Sequence, residues 1–377
     1  MSYVLTEEQE SIRRTAKALV GERAPVAHLR ALRDEADKVG FSRELWKEMA
    51  SLGLVGMAIP ESYGGAGLGF AELGLVLYEC GRTLAPTPFV ATVLLGASAL
   101  LSGGSPEQNR TMLPAVCAGD RIIALAHDER SRFLPYEITT RAEPDRSGFR
   151  LSGEKTFVID GHVADDFIVV ARSAGAPGDR AGLTLLVVPA DAPGITVTRS
   201  HMVDSRNAAR VRFAATPARE ILGQPGAGAD VLDAALDRAT AGLCAEMLGG
   251  IEEVFERTIA YLKTRRQFGV PIGSFQALKH RAAYLFCEIE LSKSIVLDAL
   301  RAVDLSRPDL SAVVSVAKAR ASDTYLAVTN EAVQMHGGVG VTDELDIGLF
   351  LKRARVAEMT FGTASYHRNR YAELHGY

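Results

Sequence analysis

Arg265 and Arg266 follow a long helical run and precede Phe268-Gly269, so a guanidinium emerges at a helix end beside a tight turn. A planar fork of donors suits a pyrophosphate, with Arg266 as the adjacent alternative to Arg265. The plainer reading of either is an arginine capping a helix C-terminus. Farther on, Gly337-Gly338 succeed Gln334-Met335-His336. Glycines there let backbone N–H groups approach phosphate oxygens with no Cβ in the way, or simply end a helix. Acids are available on the helix leading to Arg265: Asp233, Asp237, Glu246, Glu252 and Glu253. Glu246 lies among Leu243, Cys244, Met247 and Leu248 on the apolar side. A carboxylate there is either a base with a raised pKa or the structural partner of an Arg or Lys on a neighbouring helix. His127 and His336 have no nucleophile beside them in any motif.

Three kinds of segment must position these groups. Thr6 and Gln9 fit a capping box, after which Ile12, Ala16 and Leu19 recur at helical spacing. Helical patterns continue over 43–54 and 71–84, interrupted by Pro60-Glu61-Ser62-Tyr63-Gly64-Gly65-Ala66-Gly67. That glycine-rich stretch has neither a preceding strand nor a Lys-Ser/Thr ending, so it reads as a helix connector rather than a phosphate cradle. From Asp120 the texture changes. Residues 149–159, 167–171, 182–188, 195–197 and 210–213 are short, β-branched or alternating runs, expected as strands of an antiparallel barrel or sandwich. After a flexible junction at 221–228, long Ala/Leu-rich helices are expected over 231–265, 275–305, 310–336 and 347–358.

A chain of 377 residues is too long for one ordinary core, and 47% hydrophobic with 23% charged residues describes a globular protein. A net charge of −4 with no basic run argues against a nucleic-acid partner. Cys80, Cys117, Cys244 and Cys287 form no Cys-x-x-Cys pair, so neither a metal site nor a redox motif is expected, and the thiols should be reduced and packed. With no signal-like amino terminus and no apolar segment near the roughly 20 residues that span a bilayer, the expected location is the cytoplasm, away from membranes.

Arg265-Arg266-Gln267-Phe268-Gly269, then Pro271-Ile272-Gly273-Ser274-Phe275-Gln276, then Gln334-Met335-His336-Gly337-Gly338-Val339-Gly340 resemble, in order and spacing, the carboxyl-terminal domain of the acyl-CoA dehydrogenases. The resemblance covers essentially the whole chain. It implies an α+β fold: a helical N-terminal domain (1–119), an antiparallel β middle domain (120–220) and a C-terminal four-helix domain (221–377). It also implies FAD bound between subunits of a homotetramer or heterotetramer, an acyl-CoA thioester substrate and an electron-transfer acceptor. By carry-over, Arg265 meets the pyrophosphate of a neighbouring subunit's FAD, Gln267 belongs to the same motif, and Phe268 packs on the cofactor. Gln276 follows the loop-to-helix turn, Gln334, Gly337 and Gly338 lie along the adenosine and pyrophosphate, and Thr363 and Ser365 hydrogen-bond FAD.

The chain departs from the family pattern where the chemistry sits. The usual closing Tyr-Glu-Gly-Thr, whose glutamate takes the substrate's α-proton, is here Thr360-Phe361-Gly362-Thr363. The alternative base position on the first helix of the C-terminal domain is Ala239. Glu246, seven residues on and on nearly the same helical face, is the internal candidate for the catalytic base. Arg238 could meet CoA or the thioester region, or be an interhelical residue. In the middle domain Ala126-His127-Asp128 stands for Thr-Glu-Pro, and Phe157-Val158-Ile159-Asp160 for Trp-Ile-Thr-Asn, so Ile159 lacks the hydroxyl that would meet the flavin. The expected activity is α,β-desaturation of a CoA thioester, within a tetramer that pairs a base-bearing subunit with one lacking the base. The alternatives are a non-catalytic partner lending Arg265 and Gln334 to another chain's FAD, and a flavin oxidase or monooxygenase of the same fold.

Overall fold

The computed structural model describes residues 5–146 and 148–377. Helices α1 (Glu7–Arg23), α2 (Val26–Asp34), α3 (Arg43–Ser51) and α4 (Phe70–Thr83) open the chain, followed by a π-helix over Phe89–Ala97, α5 (Ser98–Gly103) and α6 (Pro106–Cys117). Strands β1 (Ile123–Ala126), β2 (Arg141–Asp145), β3 (Gly148–Ile159), β4 (Asp166–Arg172), β5 (Leu183–Pro189), β6 (Ile195–His201), β7 (Asn207–Ala218) and β8 (Glu220–Leu222) come next. The rest is α7 (Ala229–Thr264), a hairpin of β9 (Arg266–Gln267) and β10 (Val270–Pro271), then α8 (Gln276–Asp304), α9 (Leu310–His336), α10 (Ile347–Met359) and α11 (Ala364–Leu374). Two compact units result. One runs through Ala31, Phe70–Ala85 and Thr240–Tyr377, and the other comprises Leu32–Gly69 and Pro86–Ala239.

The helical unit packs α1 on α4, α8 on α9, and both α10 and α11 on α9. α1 begins at the expected capping box: the Gln9 amide donates to Thr6 Oγ1 at 3.2 Å, and the Thr6 amide to Gln9 Oε1 at 3.1 Å. α4 and α7 cross at backbone contact. A Cβ on Gly81 would lie 1.9 Å from the Glu246 carbonyl oxygen, and one on Gly249 would lie 1.9 Å from that of Tyr78. Only glycine permits this approach, and it anchors the middle of α7.

In the second unit the sheet order is β6-β7-β3-β2-β4-β5-β8, with β1 added parallel to β4. β4 is buried at every position and β5 at all but its last, which explains their near-continuous apolar runs. Edge strand β6 is mostly exposed and carries Thr, Arg and Ser. Its core includes Leu151, Val158, Phe167, Leu186, Val211 and Phe213. β1, β2 and β8 went unread in the sequence: β1 and β8 are too short to show a period, and β2 is Arg-Ala-Glu-Pro-Asp with Ala142 alone buried. The glycine-rich stretch is indeed a connector. The amides of Gly64, Gly65, Ala66, Gly67 and Leu68 all donate to carbonyls between Gly56 and Glu61, leaving none in that run for a phosphate.

Candidate functional site

The two motifs that could hold a nucleotide meet at one end of the helical unit. Tyr261, in the last turn of α7, stacks on His336, the last residue of α9, with ring centroids 4.3 Å apart and planes at 27°. The Tyr261 hydroxyl also donates to the His336 carbonyl at 3.3 Å. Burial pushes His336 below its ordinary pKa, and its Nδ1 sits 2.7 Å from the Ala332 carbonyl. The histidine is therefore a neutral packing element that brings the Arg265 and Gly337 segments together. Four residues past Tyr261, the Arg265 amide closes the helix on the Tyr261 carbonyl at 2.8 Å, while its own carbonyl accepts from Ile272 at 2.8 Å across the hairpin. The Arg265 side chain is exposed, and no described residue bonds its guanidinium. Arg266 instead donates to the Gly269 carbonyl at 3.2 Å, bracing the turn.

That turn is strained in a specific way. Phe268 has φ 53° and Gly269 φ 81°, as a two-residue hairpin turn of the primed type requires. Glycine tolerates this and phenylalanine does not, yet Phe268 is held there 90% exposed, with Phe275 edge-on at 6.0 Å. Gln267 pairs with Val270 across the hairpin, and Gln276, first residue of α8, accepts at Oε1 from His280 Nε2 at 3.0 Å. Gln334, Gly337 and Gly338 are exposed, and a Cβ on either glycine would meet nothing within 4 Å. An exposed arginine, an open glycine pair and an exposed aromatic on one corner suit a dinucleotide: donors for a pyrophosphate, backbone access and a ring to stack on.

Phe361 also has positive φ, 60°, followed by Gly362 at 105°. It is buried, and its turn leads into α11, where Thr363 is the N-cap and accepts from the Tyr366 amide at 3.2 Å. The Thr363 hydroxyl proton stays available to another acceptor, and Ser365 is exposed.

No acid of α7 stands alone. Glu246 Oε1 lies 3.2 Å from Arg353 of α10, both buried, so the structural-partner reading has a named partner. Glu252 pairs with Lys293 at 2.8 Å, Glu253 with Arg82 at 2.6 Å, and Asp233 accepts from the Tyr136 hydroxyl at 2.8 Å. Asp237 and Ala239 are both buried. Arg238 bonds the Ser102 hydroxyl, which favours the interhelical reading.

In the sheet unit, the two segments that depart from the family pattern lie side by side. Lys155, with no exposed surface, donates to the His127 carbonyl at 3.0 Å and to Glu129 Oε1 at 2.7 Å. The next amide, Thr156, donates to the Asp128 carbonyl at 2.7 Å. Glu129 also accepts the Thr139 and Thr140 amides at 2.7 and 2.9 Å. Burial would raise this carboxyl, but Lys155 and the threonine donors outweigh it and hold it down at about 2. His127 is fixed between Asp128, at 3.0 Å, and the Pro135 carbonyl, at 2.9 Å, with no nucleophile. Beyond Lys155 the pairing of β3 with β7 shifts register, and Phe157 takes φ 51° at this bulge with 45% of its surface exposed. Bulges of this kind re-aim a side chain.

Sequence reasoning missed the Lys155–Glu129 pair, and it missed that Phe157, Phe268 and Phe361 share a left-handed backbone. A signal for the latter existed in Phe-Gly at 268–269 and 361–362, where a glycine marks a turn that its neighbour must also accommodate.

Comparison with known proteins gives this geometry a context. Successive stretches match the family descriptions "Acyl-CoA dehydrogenase, N-terminal domain" (residues 6–120), "middle domain" (128–215) and "C-terminal domain" (226–374). The chain is 31% identical to the probable acyl-CoA dehydrogenase YngJ of Bacillus subtilis, over 98% of each chain. Among solved structures it resembles a variant of the Tcur3481-Tcur3483 steroid ACAD, at 33% identity, TM-score 0.88, covering 98% of this chain and 97% of that one. It also resembles the ChsE4-ChsE5 complex of Mycobacterium tuberculosis, at 28% identity and TM-score 0.88, with full coverage of both chains. Likeness of this extent, carried from end to end through all three family domains, places the chain in the acyl-CoA dehydrogenase family of FAD-dependent oxidoreductases.

Proposed function

We propose that this chain serves the FAD-dependent α,β-desaturation of a CoA thioester as one subunit of a heterotetramer, with the α-proton base supplied by a partner subunit. Three domains bounded at 119/120 and 220/221 carry out the division of labour, in the cytoplasm. The observation that carries the reading is the state of the acids: Phe361 and Ala239 stand at the two base positions, and Glu246, the internal candidate, is engaged by Arg353. When bound, FAD supplies the hydride acceptor. This chain's residues do the holding. Arg265 and the amides of Gly337 and Gly338 would take the pyrophosphate, Phe268 would stack, Gln276 and Gln334 would bond the nucleotide, and Thr363 and Ser365 would add hydroxyl donors. Both structures cited above are two-component by their printed names, which supports a heteromeric assembly. A bulky steroid-type thioester therefore belongs in any substrate panel. No helix among the described residues is long and apolar enough to cross a membrane.

Two outcomes test the assembly and the cofactor corner. Losing one charge-assisted pyrophosphate contact costs about 1.5 to 3 kcal/mol, so Arg265→Ala should weaken FAD binding about 10- to 150-fold. Gly338→Val should do the same by placing a side chain where the phosphate must approach. Flavin absorbance after gel filtration reads both, and full occupancy in both variants would remove the assignment. Light scattering should give a tetramer, or a dimer completed by a second subunit. A stable monomer that keeps its FAD would contradict the shared site.

A further inference from the structure

Lys318 lies in the middle of α9 with no exposed surface and no carboxylate bonded to it, an expensive place for an ammonium. Its protons have three neutral acceptors: the Glu358 carbonyl at 3.0 Å, the Gly362 carbonyl at 2.9 Å and the Ser322 hydroxyl at 3.3 Å. Glu358 is in the last turn of α10, where helix carbonyls have no partner of their own helix. Gly362 precedes the N-cap of α11. One lysine from a third helix thus ties together both ends of the turn that contains Phe361. A second tie comes from α11, where His367 Nε2 donates to the Phe361 carbonyl at 3.0 Å and Nδ1 faces the Ser315 hydroxyl at 3.3 Å. Arg370 lies beyond Ser315 at 3.5 Å.

We propose that Lys318 is the positioning residue of the Thr360–Thr363 turn: its ammonium clamps the carbonyls on either side of residue 361 and holds the left-handed backbone that aims that side chain. Losing a proton still leaves two hydrogens for the two carbonyls, but it removes the charge that strengthens both bonds. Burial pushes Lys318 down to about 8, partly offset by the Glu358 carboxylate of α10. His367, pushed down to about 3 by burial and by Lys318 and Arg370, and Cys244, pushed up to about 12 by burial, keep their charge through the same range. The turn is therefore held below about pH 8 and loosens above it. The consequence for catalysis at position 361 rests on the function proposed above; the clamp does not.

Hydrogen exchange tests the clamp directly. The Thr360 and Gly362 amides donate to the Val356 and Met359 carbonyls, so their protection reports the turn. In the intact protein, their protection factors should fall about 10-fold or more in one step centred near pH 8, while α9 stays protected. Lys318→Met should show the low value at every pH with no step, because thioether and methyl groups donate nothing. A pH-independent wild type, or a Lys318→Met turn as protected as wild type, would overturn the proposal. If Lys318→Met does not fold, the wild-type titration alone decides. For the catalytic consequence, Lys318→Met in a Phe361→Glu background should lower kcat for flavin reduction about 10-fold or more with KM unchanged. An unchanged kcat there would limit Lys318 to structure. No reduction at all by the parent Phe361→Glu protein would count against the proposed function and leave the exchange result standing.

Discussion

Mixed anaerobically with straight-chain acyl-CoAs, the purified chain should have its flavin reduced about 10² to 10⁴ times more slowly than its own Phe361→Glu variant, the usual worth of a general base. A thioester α-proton has to pass to a carboxylate as hydride leaves the β-carbon, and a phenyl ring at 361 accepts no proton. Residue 361 follows the Thr360 C-cap of α10 and is held by backbone contacts to its carbonyl and its neighbour's, so a new side chain there leaves those anchors in place. Glu246→Gln should leave the slow wild-type rate unchanged but destabilise the fold by about 3 kcal/mol, because it leaves Arg353 buried opposite a neutral amide. Rapid wild-type reduction that vanishes in Glu246→Gln would instead make Glu246 the base. Rapid reduction that survives it would place the base elsewhere.

Glu129→Ala should cost about 3 to 5 kcal/mol of stability, measured by denaturant unfolding, since it strands the Lys155 ammonium with no exposed surface and no carboxylate bonded to it. The double variant Glu129→Leu/Lys155→Met should recover most of that loss, because removing both charges leaves none uncompensated. The pH dependence has a definite sign. The Glu129 carboxyl is held down at about 2 against an ordinary 4.5, so its contribution is fully present above pH 4.5 and is lost as pH falls toward 2. That contribution is about 3 kcal/mol, and a Glu129→Gln protein should lack this part of the acid sensitivity. Equal acid sensitivity in wild type and Glu129→Gln would show that the carboxylate is not the group responsible.

The sequence by itself determined the long helices, the central strands and the turns that follow Phe268 and His336. Those depend on local causes: 3.6-residue apolar periods in α7 to α10, continuous β-branched runs in β4 and β5, a capping box at Thr6, and turn glycines after Phe268 and His336. That positions 361 and 239 carry no acid is likewise read without coordinates. Tertiary structure alone decided the rest. Whether Glu246 is free or paired depends on Arg353, 107 positions away, and Lys155 acquires its meaning from Glu129 across 26 positions. Lys318 looks like any helical lysine until α10 and α11 bring two carbonyls to its ammonium. A charge has a role only once its desolvation and its partners are known, and both come from segments that the chain brings together by folding.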